Sequence, residues 1–261
     1  MSLSTTARLP GSDAALAGMS VIVTGAGSGI GRGIAECVAT AGGQVVAVGR
    51  SPEPLSALRD EIGSQIHPVA VDITVGGSAE YVVAQAVESF GEVSAVVNNA
   101  GWARFAPLEE AGLDEFEAML RTNVTAPAAL IRAALPHLRA ANGSVVNISS
   151  VGGVLTMPGR SFYGASKAAL NSLTRSLALE LAPQVRVNAI LPGPVDTPMW
   201  SHAGLSEDDL ARLRVDIGAA TPMGRFGRVE EIGRWVCCLL DPQLSSWITG
   251  ALIPVDGGRT A

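Results

Sequence analysis

Tyr163 and Lys167 stand four residues apart at the start of a run, 161–181, whose pattern predicts a helix. Side chains at that spacing share one helix face. A free tyrosine has a pKa of about 10 and is a poor base near neutrality. A neighbouring cation favours the phenolate and brings proton transfer within reach, so the pair points to acid–base chemistry. The same spacing is also common on helix surfaces, and its meaning depends on what surrounds it. Asn147-Ile148-Ser149-Ser150 closes one predicted strand and Asn98-Asn99-Ala100-Gly101 closes another. In an open α/β sheet the carboxyl ends of the strands border the ligand crevice.

A second chemical feature lies earlier. Thr24-Gly25-Ala26-Gly27-Ser28-Gly29-Ile30-Gly31 joins a predicted strand to a predicted helix. Gly25, Gly29 and Gly31 allow a tight turn and a close backbone approach to a pyrophosphate. The helix that follows aims its free N–H groups and positive dipole end at that anion. The next strand ends Gly49-Arg50-Ser51. An acidic residue there favours NAD through the ribose 2′-hydroxyl, and an arginine accommodates a 2′-phosphate. With Arg50 at the tip the sequence favours NADP, NAD being the alternative; the competing reading is a solvated strand-end charge.

These residues need a scaffold, and apolar runs alternate with helical patterns from end to end. Strand signals fall at 19–24, 44–49, 67–71, 94–98, 144–148, 185–191 and 251–255. Helical patterns fall at 29–41, from Ser51-Pro52-Glu53 onward, and at 79–89, 114–139, 161–181, 207–217 and 229–240. Such alternation implies a single-domain, doubly wound parallel sheet of Rossmann type with right-handed crossovers. Residues 1–15 read as a flexible tail and 16–261 as the dinucleotide-binding catalytic domain. Within 114–139, Pro127 stands four residues after Asn123. Proline has no N–H to bond the Asn123 carbonyl and its ring clashes with it. The helix should therefore deviate at 122–127, with that carbonyl turned toward Lys167 and open to a water.

Composition narrows the possibilities. Of 261 residues, 48% are hydrophobic and only 4% aromatic, which suits a core of aliphatic strands covered on both faces. The formal net charge of −6, without a basic run, argues against nucleic acid as a partner. Cys37, Cys237 and Cys238 form no metal-ligand spacing or C-x-x-C pair; reduced thiols and a cytoplasmic location are expected, with no metal. No stretch approaches a signal peptide or membrane span.

At this point the chain resembles the short-chain dehydrogenase/reductase family over about residues 18–258. The resemblance rests on TGAGSGIG at 24–31, Asp72, NNAG at 98–101, Asn123, Ser150, YGASK at 163–167, Asn188, Pro192-Gly193, Thr197 and Asp256-Gly257-Gly258. It implies an oxidoreductase that moves a hydride between NADP(H) or NAD(H) and a carbonyl or alcohol. Tyr163 would be the acid/base, and Lys167 would lower its pKa and hold the nicotinamide ribose. Ser150, rather than Ser149, would polarise the substrate oxygen, and Asn123 would anchor a proton-relay water. Asp72 would face the adenine and Asn99 the adenosine ribose region; Val195 and Thr197 would hold the carboxamide and pyrophosphate side. Ser28, Ile30, Ile73, Ala100, Gly101, Pro192 and Gly193 would complete the cofactor's surroundings. Many NADP-preferring relatives carry a basic residue where this chain has Ser28, a departure that weakens the NADP reading.

The partner implied is a small carbonyl or alcohol compound. Met199-Trp200 would face it or cover it, whereas His67 and His137 read as a strand-start and a helix-end residue and His202 falls in the variable segment after Thr197. Relatives commonly form tetramers with two-fold axes, so a homotetramer is expected. The rival is a cofactor-binding sensor or scaffold without turnover, for which Tyr163 would have no use. A non-redox enzyme acting on sugar nucleotides would need a further substrate domain.

Overall fold

A computed structural model of the chain describes residues 14–198 and 207–261. Among these residues the strands are β1 (Ser20–Thr24), β2 (Gln44–Gly49), β3 (Ile66–Ala70), β4 (Ala95–Asn98), β5 (Ser144–Ile148), β6 (Arg186–Pro192) and β7 (Leu252–Val255). They form one parallel sheet in the order β3-β2-β1-β4-β5-β6-β7. The order reverses between β1 and β4, and a crevice opens there at the strands' carboxyl ends.

The helices are α1 (Gly29–Thr40), α2 (Pro52–Ile62), α3 (Ser78–Phe90), α4 (Leu113–Leu120), α5 (Ala126–Ala140), α6 (Ser161–Leu181), α7 (Glu207–Ala219), α8 (Val229–Leu240) and the single turn α9 (Pro242–Ser245). They cover both faces of the sheet. Because successive side chains alternate across a strand, Val21 and Val23 of β1 join one core while Ile22 joins the other. The first core also takes in Ile34 and Val38 of α1, Leu55 and Leu58 of α2, and Ile232, Val236 and Leu239 of α8. The second takes in Val82 and Val83 of α3, Leu130, Ile131 and Leu138 of α5, and Ala178 and Leu181 of α6. Burial on both faces explains why the strands read as nearly continuous aliphatic runs.

Strand ends fall within one residue of the sequence expectation. The larger difference is in 114–139, where the expected single helix is divided. A π-helical turn, Arg121–Thr125, separates α4 from α5, and the Ala126 N–H reaches back five residues to the Arg121 carbonyl. Proline at 127 cannot supply the ordinary four-residue bond, and a π-turn accommodates the extra step. The turn of helix α9 carried no periodic signal; it is capped by Asp241, whose Oδ1 accepts from the Gln243 N–H at 2.8 Å. At the other end, Leu16 is buried and its N–H meets the Ala41 carbonyl at 2.8 Å. Most of the tail, residues 1–13, and Met199, Trp200 and His202 lie outside the described residues.

Candidate active site

The glycine turn sits where β1 meets α1, and its backbone leaves no room for side chains. A Cβ on Gly31 would lie 2.1 Å from the Gly25 carbonyl oxygen and 2.4 Å from Asn99 Nδ2. Gly25 has φ +68° and Gly29 φ +52°, the left-handed region that glycine enters at little cost. Thr24 pins the turn to the neighbouring strand. Its Oγ1 accepts from the N–H groups of Asn99 and Ala100, both at 3.0 Å. The Asn99 side chain returns the contact, Nδ2 donating to the Thr24 carbonyl at 2.9 Å. Asn99 thus braces the turn, with Ala100 and Gly101 continuing past it. Ser28 stands extended at the N-cap of α1, just before Ile30 and Gly31, and its hydroxyl does not cap the helix. Thr197 comes from the far side: its side chain lies 3.3 Å from where a Gly29 Cβ would be. This is a cradle shaped for something that contacts backbone, as a pyrophosphate does.

On the β2 side, Arg50 is exposed at the strand end, and its charge acts on Asp72 at the end of adjacent β3. Asp72 Oδ1 accepts from the Thr74 N–H and hydroxyl at 2.8 and 2.7 Å. These hydrogen bonds, more than Arg50, hold its carboxyl below the usual aspartate range. Ile73 is half-buried between them. Pro192 at the end of β6 and Val195 beyond it are buried, Val195 bridges to Gly227, and the Gly193 N–H donates to the Val255 carbonyl at 3.0 Å.

The chemistry-bearing side chains converge beyond β5. Ser150 is extended and its Oγ accepts from the Gly152 N–H at 3.0 Å, capping a short 3₁₀ turn. The same hydroxyl acts on the Tyr163 phenol, pulling its pKa down. Ser149 turns the other way, donating to the Lys167 carbonyl at 3.3 Å. Lys167 Nζ lies 6.0 Å from the centre of the Tyr163 ring and donates to the Ile148 carbonyl at 2.9 Å. Two ammonium protons remain for other acceptors. Burial lowers the Lys167 pKa to about 8. The Tyr163 phenol moves up, because burial outweighs the Ser150 hydrogen bond and the Arg160 charge that pull it down. This differs from the expectation that Lys167 draws the phenol down: desolvation of a buried phenol is the larger effect.

Asn123 is completely buried in the π-turn. Its Oδ1 accepts from the Trp102 N–H at 2.9 Å, and its Nδ2 donates to the Trp102 carbonyl and to Ser166 Oγ, both at 3.0 Å. Ser166 in turn donates to the Tyr163 carbonyl at 2.8 Å. A Cβ on Gly101 would lie 3.4 Å from Asn123 Oδ1 and 3.5 Å from Lys167 Nζ, so the two side chains are one glycine apart. Asn123, Ser150, Tyr163 and Lys167 therefore belong to one cluster.

Sequence reasoning passed over the polar line that holds this cluster to the sheet. Asn98 Nδ2 donates to Asn147 Oδ1, Asn147 Nδ2 donates to Thr174 Oγ1, both at 2.9 Å, and Thr174 donates to the Leu170 carbonyl at 2.8 Å. The line crosses from β4 through β5 into α6, and each member is buried. Its visible signs are Asn98 and Asn147, each set beside valines in a strand.

Known proteins resemble the chain along most of its length. Residues 25–260 match the family model described as enoyl-(acyl carrier protein) reductase. The chain is 34% identical over 248 residues to 3-oxoacyl-[acyl-carrier-protein] reductase FabG of Thermotoga maritima, covering 93% of this chain and 98% of that protein. It is 36% identical over 250 residues to L-fucose dehydrogenase of Oryctolagus cuniculus, covering 95% and 87%. The crystal structure of 3-ketoacyl-(acyl-carrier-protein) reductase from Brucella melitensis complexed with NADH superposes with a TM-score of 0.87 at 31% identity, covering 94% of this chain and 99% of that one. None of these supports a sensor or scaffold without turnover.

Proposed function

The chain belongs to the short-chain dehydrogenase/reductase family, and on that premise we propose that Tyr163 is the acid/base, aided by Ser150, Lys167 and Asn123, with NADP(H) as the preferred cofactor. The reaction class follows from the family: an oxidoreductase acting between CH–OH and C=O with a nicotinamide cofactor. The cofactor supplies or accepts the hydride.

The observation that carries the assignment is the Tyr163 phenol, buried where the Ser150 hydroxyl acts on it and with Lys167 Nζ over its ring. A phenol whose pKa is raised keeps its proton at neutral pH, as a general acid for carbonyl reduction must. A carbonyl oxygen between Ser150 and Tyr163 accepts hydrogen bonds from both hydroxyls. It takes the phenol proton as it becomes an alcohol, and alcohol oxidation runs the same transfer backwards. Lys167 offers its remaining protons to the ribose and restores the phenol proton. The Asn123 carbonyl, denied its helical donor by Pro127, takes a water that extends this path.

The turn from Gly25 to Gly31 with Ser28, Ile30 and Thr197 fits a pyrophosphate, and Asp72, Ile73 and Asn99–Gly101 line the adenosine side. Pro192, Gly193 and Val195 border the nicotinamide side. Exposed Arg50, beside Asp72 at the β2–β3 edge, supports NADP over NAD through the 2′-phosphate. A homotetramer is supported by apolar surface left open on the single chain: Trp247 is 98% and Leu179 84% exposed. A cytoplasmic location rests on the reduced thiols alone; among the described residues no helix is long and apolar enough to cross a membrane. The substrate is a small carbonyl or alcohol compound. A panel of ketones and alcohols with NADP(H) and NAD(H), followed at the nicotinamide absorbance, tests the reading. Turnover with NADP(H) favoured is expected. Equal or better use of NAD(H) overturns the cofactor choice.

A further inference from the structure

The turn that leads into α6 sets two apolar side chains beside the reacting hydroxyls. Met157-Pro158-Gly159-Arg160 closes on itself, the Arg160 N–H donating to the Met157 carbonyl at 3.2 Å. Proline at its second position and glycine at its third, with φ +70°, suit a type II turn. Arg160 is also the N-cap residue of α6, three residues before Tyr163. The turn brings its guanidinium back to the side chain at the turn's start: Nη1 donates to Met157 Sδ at 3.6 Å. The same guanidinium lies over the Phe105 ring, 4.5 Å from the centroid. Phe105 belongs to the loop between β4 and α4. A backbone bond ties that loop to the turn, the Ala106 N–H donating to the Gly159 carbonyl at 2.9 Å. Arg160 thus holds one apolar side chain on each of two segments distant in sequence.

Both side chains border the reacting centre. Phe105 meets the Tyr163 ring edge-on, with 5.7 Å between centroids. Gly152 gives the measure for Met157. A Cβ at Gly152 would lie 3.1 Å from Met157 Cε, 3.3 Å from Ser150 Oγ and 3.3 Å from Tyr163 Cε1. The Met157 methyl therefore stands beside the Ser150 hydroxyl and the edge of the Tyr163 ring, with the space of one missing side chain among them. A carbonyl oxygen held by these hydroxyls brings its substituent up to a thioether methyl and aromatic carbon. A hydroxylated substituent would give up its water there without a hydrogen bond in return. An apolar one gains from the same burial, and a methionine end adapts to its shape.

We propose that Met157 and Phe105, clamped by Arg160, form the wall that selects the substrate, and that the substrate is a ketone or secondary alcohol with a compact apolar group, alkyl, alicyclic or aryl, on the reacting carbon. The proposal rests on the reading that Ser150 and Tyr163 hold the reacting oxygen. Gly152 sets how closely the apolar group approaches. Arg160 is a positioning residue, acting through the two side chains that it holds.

The test reads binding in the full-length protein saturated with oxidised cofactor, where a ketone cannot react. Methyl ketones with a growing alkyl group, or with cyclohexyl or phenyl, are titrated calorimetrically beside hydroxylated counterparts of the same size. Each added methylene should tighten binding roughly fourfold until the wall is filled, and a hydroxyl on the buried substituent should weaken it by about tenfold or more. Met157→Ala should move the optimum to a longer group. Gly152→Ala, whose methyl meets the flexible end of Met157, should move it to a shorter one. Arg160→Gln should reduce the preference across the series to that of a single methylene, roughly fourfold. Arg160→Lys keeps the charge without the planar face and should flatten the series in the same way. Equal or tighter binding of the hydroxylated ketones, no binding of any ketone, or an optimum unmoved in both Met157→Ala and Gly152→Ala overturns the proposal. So does a preference kept in Arg160→Gln or restored by Arg160→Lys, even if the variant is less stable, because Arg160 would then be a strut or a charge and not a clamp. If Arg160→Gln does not fold, the Met157 and Gly152 variants and the ligand series on the parent protein decide. Because no turnover is read, this outcome is separate from the question of whether Tyr163 is the acid, which the Tyr163→Phe turnover assay answers.

Discussion

Replacing Asn123 by alanine removes a hydrogen-bonding hub from the centre of the cluster. Three bonds go together: two with the Trp102 backbone and one with Ser166. Each is worth about 1 kcal/mol net, and a buried partner left unsatisfied costs more. Ser166 is completely buried and Trp102 half-buried, so desolvation adds mainly at Ser166. The expected loss is about 3 kcal/mol. For a chain of this size that lowers Tm by roughly 10 °C. The damage should also reach the chemistry, because Ser166 ties Asn123 to the Tyr163 backbone and Trp102 follows Gly101. We expect kcat to fall on the order of tenfold to a hundredfold, as for small displacements of a reacting group. Asn123→Asp is the control. It keeps the acceptor for the Trp102 N–H but sets an acceptor against the Trp102 carbonyl, and should be no more stable than the alanine variant. Thermal unfolding and steady-state kinetics measure both effects. An Asn123→Ala protein melting within about 2 °C of the parent with unchanged kcat would refute the reasoning.

Three further outcomes follow. Arg50→Ala should weaken NADP(H) by roughly 1.5–3 kcal/mol and NAD(H) far less, as for a lost charge-assisted contact; equal weakening of both removes Arg50 from the 2′-phosphate. Because burial depresses the Lys167 pKa to about 8, its ammonium is lost as pH rises through that value, and NADPH affinity should decline above about pH 8. Lys167→Met should abolish that decline, and a profile that is flat in the parent contradicts the assignment. Pro127→Ala restores an N–H for the Asn123 carbonyl and should regularise the π-turn, slowing turnover while leaving cofactor Kd nearly unchanged; unchanged turnover would reduce Pro127 to a packing residue.

Much of this molecule was readable from local pattern. The strands buried on both faces announce themselves as aliphatic runs, and β2 and β5 have the expected ends. The 161–181 helix has the ends that the sequence predicts. Pro127 foretold the break near Asn123 because a missing N–H is a local fact. It did not foretell the form of the break, since a π-turn depends on how α4 and α5 pack. The direction of the Tyr163 shift lies outside local pattern for a related reason. Spacing shows that Lys167 is near, but burial depends on Ala103, Phe105 and Met119, which the fold packs around Tyr163. Ser166, Thr174 and Asn147 were passed over as site-building residues because their partners are distant in sequence.

The central claim is that the Tyr163 hydroxyl carries the proton. Tyr163→Phe keeps the buried ring and its edge-on contact with Phe105 and removes the hydroxyl that gives its proton to substrate. The decisive measurement is turnover of the best ketone from the panel with NADPH, alongside NADPH affinity, in parent and Tyr163→Phe proteins. Turnover should become undetectable while the NADPH Kd changes by less than about threefold, the signature of an interaction used in the transition state rather than in binding. Retention of more than about a tenth of the parent kcat, far above what loss of a general acid allows, would contradict the account.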